Sequence, residues 1–181
     1  MAFAVELFFD AATEAALRRL IDTTAGRDSS SSSYRPHVSL GGSKRLRDAP
    51  SLIHALETLA SEQAGAFPVT LAHLGLFPGD EGVIFYGVTV TTPLLLLQRR
   101  FHALFTPLAI DWSPFYQPGS WVPHCTLAYG LPQDRLSDVI VKLQQQVPPS
   151  ISGLLTSIAL VHIPSGDERA VFAFEATGVT E

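Results

Sequence analysis

The hydrophobic period changes repeatedly along this chain, and each change predicts an element. Residues 2–9 (AFAVELFF) are short, apolar and rich in β-formers, which predicts a buried strand. In the following DAATEAALRRLID, Leu17, Leu20 and Ile21 recur at helical spacing. GRDSSSSS (26–33) is polar and low in complexity, the composition of a flexible loop. HVSLGG then reads as a short strand, and SKRLRDAP leads into a helix with Leu52, Leu56 and Leu59 on one face. Asp48 is placed to cap that helix ahead of Pro50. FPVTLAHLGLF is a strand closed by the turn signal PGDEG.

The order then restarts. GVIFYGVTV is a strand, and TTPLLLLQRRFHALF a helix with Thr92 at the N-cap and Pro93 in the first turn. IDWSPFYQPGS is a Pro/Gly-rich loop and HCTLAYG a strand. LPQDRLSDVIVKLQQQV is a helix with Leu136, Val139, Ile140 and Leu143 on one face, GLLTSIALVHIP a strand, and AVFAFEAT the last strand. The chain therefore reads as an internal repeat, roughly 2–79 and 82–164, with a final strand at 170–177. The spacings agree: His37 to Val69 is 32 residues and His124 to Leu155 is 31. This predicts an α+β fold in one bilobal domain. Two pseudo-symmetric lobes would each hold an antiparallel β-sheet and two helices, with the functional cleft between them.

The middle strand of each repeat carries nearly the same string. YRPHVSLGG (34–42) and WVPHCTLAYG (121–130) both contain Pro-His-x-Ser/Thr-Leu. Strand side chains alternate between faces, so His37 and Ser39 point one way and Val38 and Leu40 the other. His124 and Thr126 share a face in the same manner, with Cys125 and Leu127 behind. A pseudo-dyad would gather two imidazoles and two hydroxyls around one point. That set suits phosphodiester chemistry: a neutral His removes a proton from the attacking oxygen while a protonated His donates to the leaving oxygen. Imidazole titrates near ~6.5, so both forms exist near neutral pH. The hydroxyls of Ser39 and Thr126 can donate to non-bridging phosphate oxygens, where charge builds in the transition state. No metal or cofactor is called for.

Composition narrows the partners. Hydrophobic residues make up 46% of the chain and charged ones 16%, enough to build a core rather than a disordered chain. The net charge of −5 argues against tracking a long duplex, which asks for a basic surface. A small ligand or the end of a polynucleotide remains. The single cysteine, Cys125, excludes an intramolecular disulfide and a Cys-rich zinc site. The N-terminus lacks the basic region of a signal peptide and no apolar run is long enough to span a bilayer. The expectation is a soluble, cytoplasmic protein, acting as a monomer and without a membrane partner.

The paired strings resemble the H-x-[S/T] signatures of the two-histidine (2H) phosphoesterase superfamily. LAHLGLFPGDEGVIFYGVTV resembles the stretch such proteins carry between their motifs, where a Gly-x-Phe-Pro turn leads into the next strand. WVPHCTLAYG resembles the second motif of the bacterial branch called 2'-5' RNA ligase or RNA 2',3'-cyclic phosphodiesterase. The resemblance implies a bilobal α+β fold and opening of 2',3'-cyclic phosphate ends to 2'-phosphates, with reversible 2'-5' joining in some members. It implies His37 as proton donor, His124 as proton acceptor, and Ser39 and Thr126 as phosphate-binding groups. Many relatives carry Arg soon after the second hydroxyl; here Tyr129 stands in that string. A nucleotide or short RNA end with a cyclic phosphate is the expected substrate. The same residues also fit 2'-5'-linked oligonucleotides, an ADP-ribose cyclic phosphate, or a nucleotide-binding module without turnover.

Other residues carry less. Tyr34 and Tyr129 lie beside the motifs in sequence, and an aromatic at a cleft can stack a base, although Tyr129 alternates to the Cys125 face. His54, His73, His102 and His162 share no metal-ligand spacing. Cys125 reads as packing. The basic SKRLR (43–47) fits a solvated turn as well as a phosphate contact.

Overall fold

The computed structural model describes residues 2–25, 34–77, 79, 82–163 and 165–174. The GRDSSSSS segment lies outside them, as does most of the PGDEG turn. The elements run β1 (Phe3–Phe9), α1 (Ala11–Ala25), β2 (His37–Leu46), α2 (Ala49–Ser61), β3 (Phe67–Phe77), β4 (Gly82–Val88), α3 (Thr92–Phe105), β5 (Ala109–Trp112), β6 (His124–Leu131), α4 (Leu136–Gln146), β7 (Ile151–His162) and β8 (Asp167–Ala173). All strand pairs are antiparallel. The α+β class expected from the periodicity is the one found.

The strands form a single hydrogen-bonded path, β5-β2-β1-β7-β3-β4-β6, with β8 paired to β7. They are thus not split into one sheet for each half of the chain. Setting β5 and β8 aside, exchanging β1 with β4, β2 with β6 and β3 with β7 turns the order into itself read backwards. The crossing point is the β3–β7 pair, where Phe67 faces Leu155, Val69 faces Gly153 and Leu71 faces Ile151. The last strand of each repeat is therefore seated beside the first strand of the other. That exchange carries the two motif strands to equivalent positions.

Helices and sheet meet over one large core. Val5, Leu7 and Phe9 of β1 and Val38 and Leu40 of β2 pack there with Leu17 and Ile21 of α1, Leu56 of α2, Phe101 of α3 and Leu143 of α4. The opposite face of β1 and β7 buries only a small group, Phe8, Ala159 and Val161. Glu6 lies on that second face, two positions from Phe8.

Local details depart from the sequence reading in four places. The α3 cap is Thr91 rather than Thr92: its hydroxyl accepts from the Leu94 N–H, while Pro93 occupies the first turn. The first motif strand is longer than HVSLGG, because β5 pairs with its far end through Ser43–Trp112, Arg45–Ile110 and Leu46–Ala109. Most of SKRLR is thus strand, with Arg45 3.6 Å from the Asp111 carboxylate, and IDWSPFYQPGS contains both β5 and a 3-10 turn at Pro114–Tyr116. Asp48 caps α2 as expected, accepting from the Ser51 N–H at 3.0 Å. α4 opens as a 3-10 turn at Gln133–Arg135.

Candidate active site

His37 and His124 each open their strand directly after a proline. The two imidazoles are held alike. Nδ1 of His37 lies 2.7 Å from the Arg35 carbonyl, and Nδ1 of His124 lies 2.7 Å from the Val122 carbonyl. A carbonyl only accepts, so Nδ1 carries the proton and donates. Nε2 is left on both rings with a lone pair when the ring is neutral and an N–H when it is cationic. Ser39 and Thr126 follow two residues later on the same faces, half-buried, while Val38, Leu40, Cys125 and Leu127 are buried in the core.

The two motifs are physically joined. Trp121, three residues before His124, donates its indole N–H to the Ser39 carbonyl at 2.9 Å. The Cys125 thiol sits against the His37 backbone N–H; burial pushes it up to about 12, which that N–H only partly opposes. Cys125 is therefore a packing residue and not a nucleophile at neutral pH. His124 is held below the ordinary imidazole range, first by burial, against the pull of the Val122 carbonyl and with help from the His37 charge. The histidines are thus close enough for one charge to bear on the other.

The surroundings of the two rings differ. On β1 and β2, Phe8 faces His37 and Glu6 faces Ser39; on β4 and β6, Gly87 faces His124 and Phe85 faces Thr126. Phe85 thus occupies, beside His124, the position that Glu6 occupies beside His37. The Phe85 and Phe77 rings lie 5.0 and 4.8 Å from the His124 ring, and 4.4 Å from each other. Gly75 makes room for this stack, because a Cβ there would meet the Phe85 ring at 2.1 Å. Beside His37 there is instead a carboxylate: Glu6 Oε1 is 3.5 Å from His37 Nε2 and is buried without a hydrogen-bond partner.

A scan of family models matches residues 11–167 to the 2'-5' RNA ligase superfamily. The chain belongs to this superfamily, the 2H phosphoesterases. No match is found among curated protein sequences. Among solved structures it resembles TT0787 of Thermus thermophilus, with 18% identity, a TM-score of 0.64, and coverage of 98% of this chain and 100% of that one. It also resembles apo LigT of E. coli, with 17% identity, a TM-score of 0.50, and coverage of 95% and 96%. These likenesses are in fold.

The two weaker sequence candidates sit differently within this 2H chain. The half-buried Tyr34 donates its hydroxyl to the Ile163 carbonyl and lines a cavity of about 280 Å3 with Glu6, Phe8, Arg35 and Glu168. Tyr129 is exposed near the far end of β6 and does not reach the core with Cys125. Sequence reasoning missed Glu6 and Phe85, and gave Tyr116 and His73 no role at the site. Glu6 was signalled by a lone carboxylate in an otherwise apolar strand. Phe85 was signalled by the cross-strand Gly75, since a strand glycine often marks a close approach. Tyr116 lies beside the Ser39 hydroxyl; burial raises its phenol, the Ser39 hydroxyl opposes that rise, and the Glu6 charge adds to it. The His73 ring lies over Gly87, whose other strand neighbour is His124, and no local pattern announced it.

Among the described residues no cluster of three His, Cys, Asp or Glu side chains is arranged to hold a metal ion, and no helix is long and apolar enough to cross a membrane.

Proposed function

We propose that this chain is a metal-independent 2H phosphodiesterase that opens 2',3'-cyclic phosphates of nucleotides or short RNA ends to 2'-phosphates. The observation that carries the reading is the matched pair of imidazoles, each fixed through Nδ1 to a carbonyl two residues back and each followed on its own face by a hydroxyl. In the proposed reaction neutral His124 takes a proton from water as the oxygen attacks phosphorus. The bond from phosphorus to O3' breaks, and O3' receives the Nε2 proton of cationic His37. Ser39 and Thr126 donate to the non-bridging oxygens. General acid–base groups of this kind each contribute on the order of 10²–10⁴-fold. The same step with a 5'-hydroxyl in place of water forms a phosphorus–O5' bond as the phosphorus–O3' bond breaks, and so joins ends through a 2'-5' linkage.

The reading includes one bilobal domain that acts as a monomer in the cytoplasm, on a substrate too short to need a basic track. A substrate of 2'-5'-linked oligonucleotides or an ADP-ribose cyclic phosphate would use the same four groups. Phosphorus NMR of 2',3'-cyclic AMP with the protein and EDTA tests the proposal. Conversion to adenosine 2'-phosphate is expected, with His37→Ala and His124→Ala each slowed by about 10²–10⁴-fold and His54→Ala close to wild type. Equal losses in all three variants would refute the assignment. Nucleotide 2'-phosphate binding with no turnover of any cyclic phosphate would make it a binding module.

A further inference from the structure

The two halves of the site are equivalent in strand order and in the tethering of their histidines, so symmetry alone leaves the acid and base interchangeable. The position two residues from the histidine's strand partner breaks that symmetry, with Glu6 in one half and Phe85 in the other. We propose that Glu6 is a positioning residue: its buried carboxylate, 3.5 Å from Nε2 of His37, pairs with the protonated His37 ring and so commits His37, not His124, to the role of general acid. This deepens the phosphodiesterase reading and rests on it for the catalytic part.

Geometry carries the assignment. Glu6 is 2% exposed, and its Oε1 has no hydrogen-bond donor other than what His37 Nε2 can offer from 3.5 Å. A carboxylate left bare in such a place is costly, and an imidazolium beside it offsets part of that cost. His124 has the opposite surroundings. Two phenyl rings flank it and, among the described residues, no carboxylate pairs with it, so the uncharged ring is the favoured one. Burial raises the Glu6 carboxyl above its ordinary value, the His37 charge draws it down, and Glu168 raises it further.

Other charged groups face this pair. Glu168 reaches it from β8, and Arg35 spans Glu168 at 3.8 Å and Glu14 of α1 at 2.7 Å. Arg18 of α1 donates to the Tyr34 carbonyl on the rim of the same cavity. Tyr116 and Cys125 sense the Glu6 charge, and His124 senses that of His37. The two arginines are engaged by carboxylates or carbonyls, so Glu6 is the carboxylate that bears directly on His37 Nε2. In turnover the proton leaves Nε2 for the departing oxygen as His124 gains one from water. Exchange with solvent then restores both.

The test is Glu6→Gln, read in two ways. NMR titration of the His37 ring without substrate should show it losing its proton at a pH lower by about 1–3 units than in wild type, the effect of removing an opposite charge at this range, with His124 moving far less. The alkaline limb of kcat/KM should shift down by the same amount while the acid limb stays. An unmoved His37 titration in folded Glu6→Gln overturns the proposal whatever the enzyme does. A moved titration with no turnover of cyclic phosphates by wild type would leave the Glu6–His37 pairing standing and refute the substrate reading instead. A shift of the acid limb alone would assign Glu6 to the wrong histidine and overturn it. Glu6→Ala serves as the second variant if Glu6→Gln fails to fold.

Discussion

Replacing Gly75 by Ala should destabilise the protein and slow it, although the substitution adds only one methyl group. Gly→Ala in an open strand ordinarily gains about 0.5–1 kcal/mol through reduced freedom of the unfolded chain. Here the added Cβ would sit 2.1, 2.3 and 2.9 Å from three atoms of the Phe85 ring. To reach ordinary contact near 3.4 Å the ring must retreat by about 1.3 Å. It has no free direction. Phe85 is 5% exposed and stacks on Phe77 at 4.4 Å and His124 at 5.0 Å. Overpacking of this kind costs about 1–3 kcal/mol, so the sign of the usual glycine effect is inverted. The displaced ring presses on His124, and a misplacement of about 1 Å at a reacting group costs on the order of 10²-fold in rate. Thermal unfolding and kcat on a 2',3'-cyclic nucleotide read the two effects separately. Gly75→Ala with Phe85→Leu should recover stability while kcat stays low, because the space returns but the ring beside His124 does not. A Gly75→Ala variant as stable and as fast as wild type would refute the reasoning. One that is destabilised but turns over normally would show that Phe85 packs beside His124 without placing it.

Three further outcomes follow from the same contacts. The base must be neutral to work, and burial holds His124 below the ordinary imidazole range; kcat/KM should therefore persist as pH falls below ~6.5 and drop only at the lowered value, and an acid limb above ~6.5 would contradict His124 as base. Cys125, with its thiol pushed up to about 12, should resist iodoacetamide in the folded protein at pH 8 and react only on unfolding, as mass spectrometry can show. Asp10 caps α1 through the Ala12 and Thr13 N–H groups and ties it to β7 through the Leu154 N–H at 2.7 Å. Asp10→Ala should cost about 1–2 kcal/mol in denaturant unfolding. These hydrogen bonds outweigh the opposing effect of burial and lower the Asp10 carboxyl. Its contribution is therefore full above ~3.9 and fades as pH falls through the lowered value, so the gap between wild type and variant should close in acid.

What could be read from the sequence was whatever a local pattern encodes. The apolar period found the four helices and every strand but β5, and Asp48 ahead of Pro50 located the start of α2. Alternation placed Cys125 and Leu127 behind His124 because the rule needs only neighbouring residues. The extension of β2 to Leu46 was not legible, since it depends on β5 arriving from more than sixty positions away to pair with Ser43 and Arg45. The single strand path was hidden for the same reason. Nothing in the repeat says that β7 will sit beside β1 and β3 beside β4, although once they do the order reads the same in both directions.

The site shows the same division at a finer scale. A histidine and a hydroxyl two residues apart, given twice, is a local signal, and it marked the half of the chemistry that is symmetric. The asymmetric half lies on other strands. Glu6 is thirty-one positions before His37 in the chain, and Phe85 thirty-nine before His124. Each meets its histidine only through strand pairing, as do His73 over Gly87 and Phe77 against the His124 ring. A duplicated frame supplies two equal imidazoles, and equal imidazoles have no fixed division into acid and base. The inequality has to come from what the neighbouring strands bring. One of them brings a buried carboxylate and the other a phenyl ring, so the first place to look for a changed division of labour is β1 and β4, not the motifs themselves.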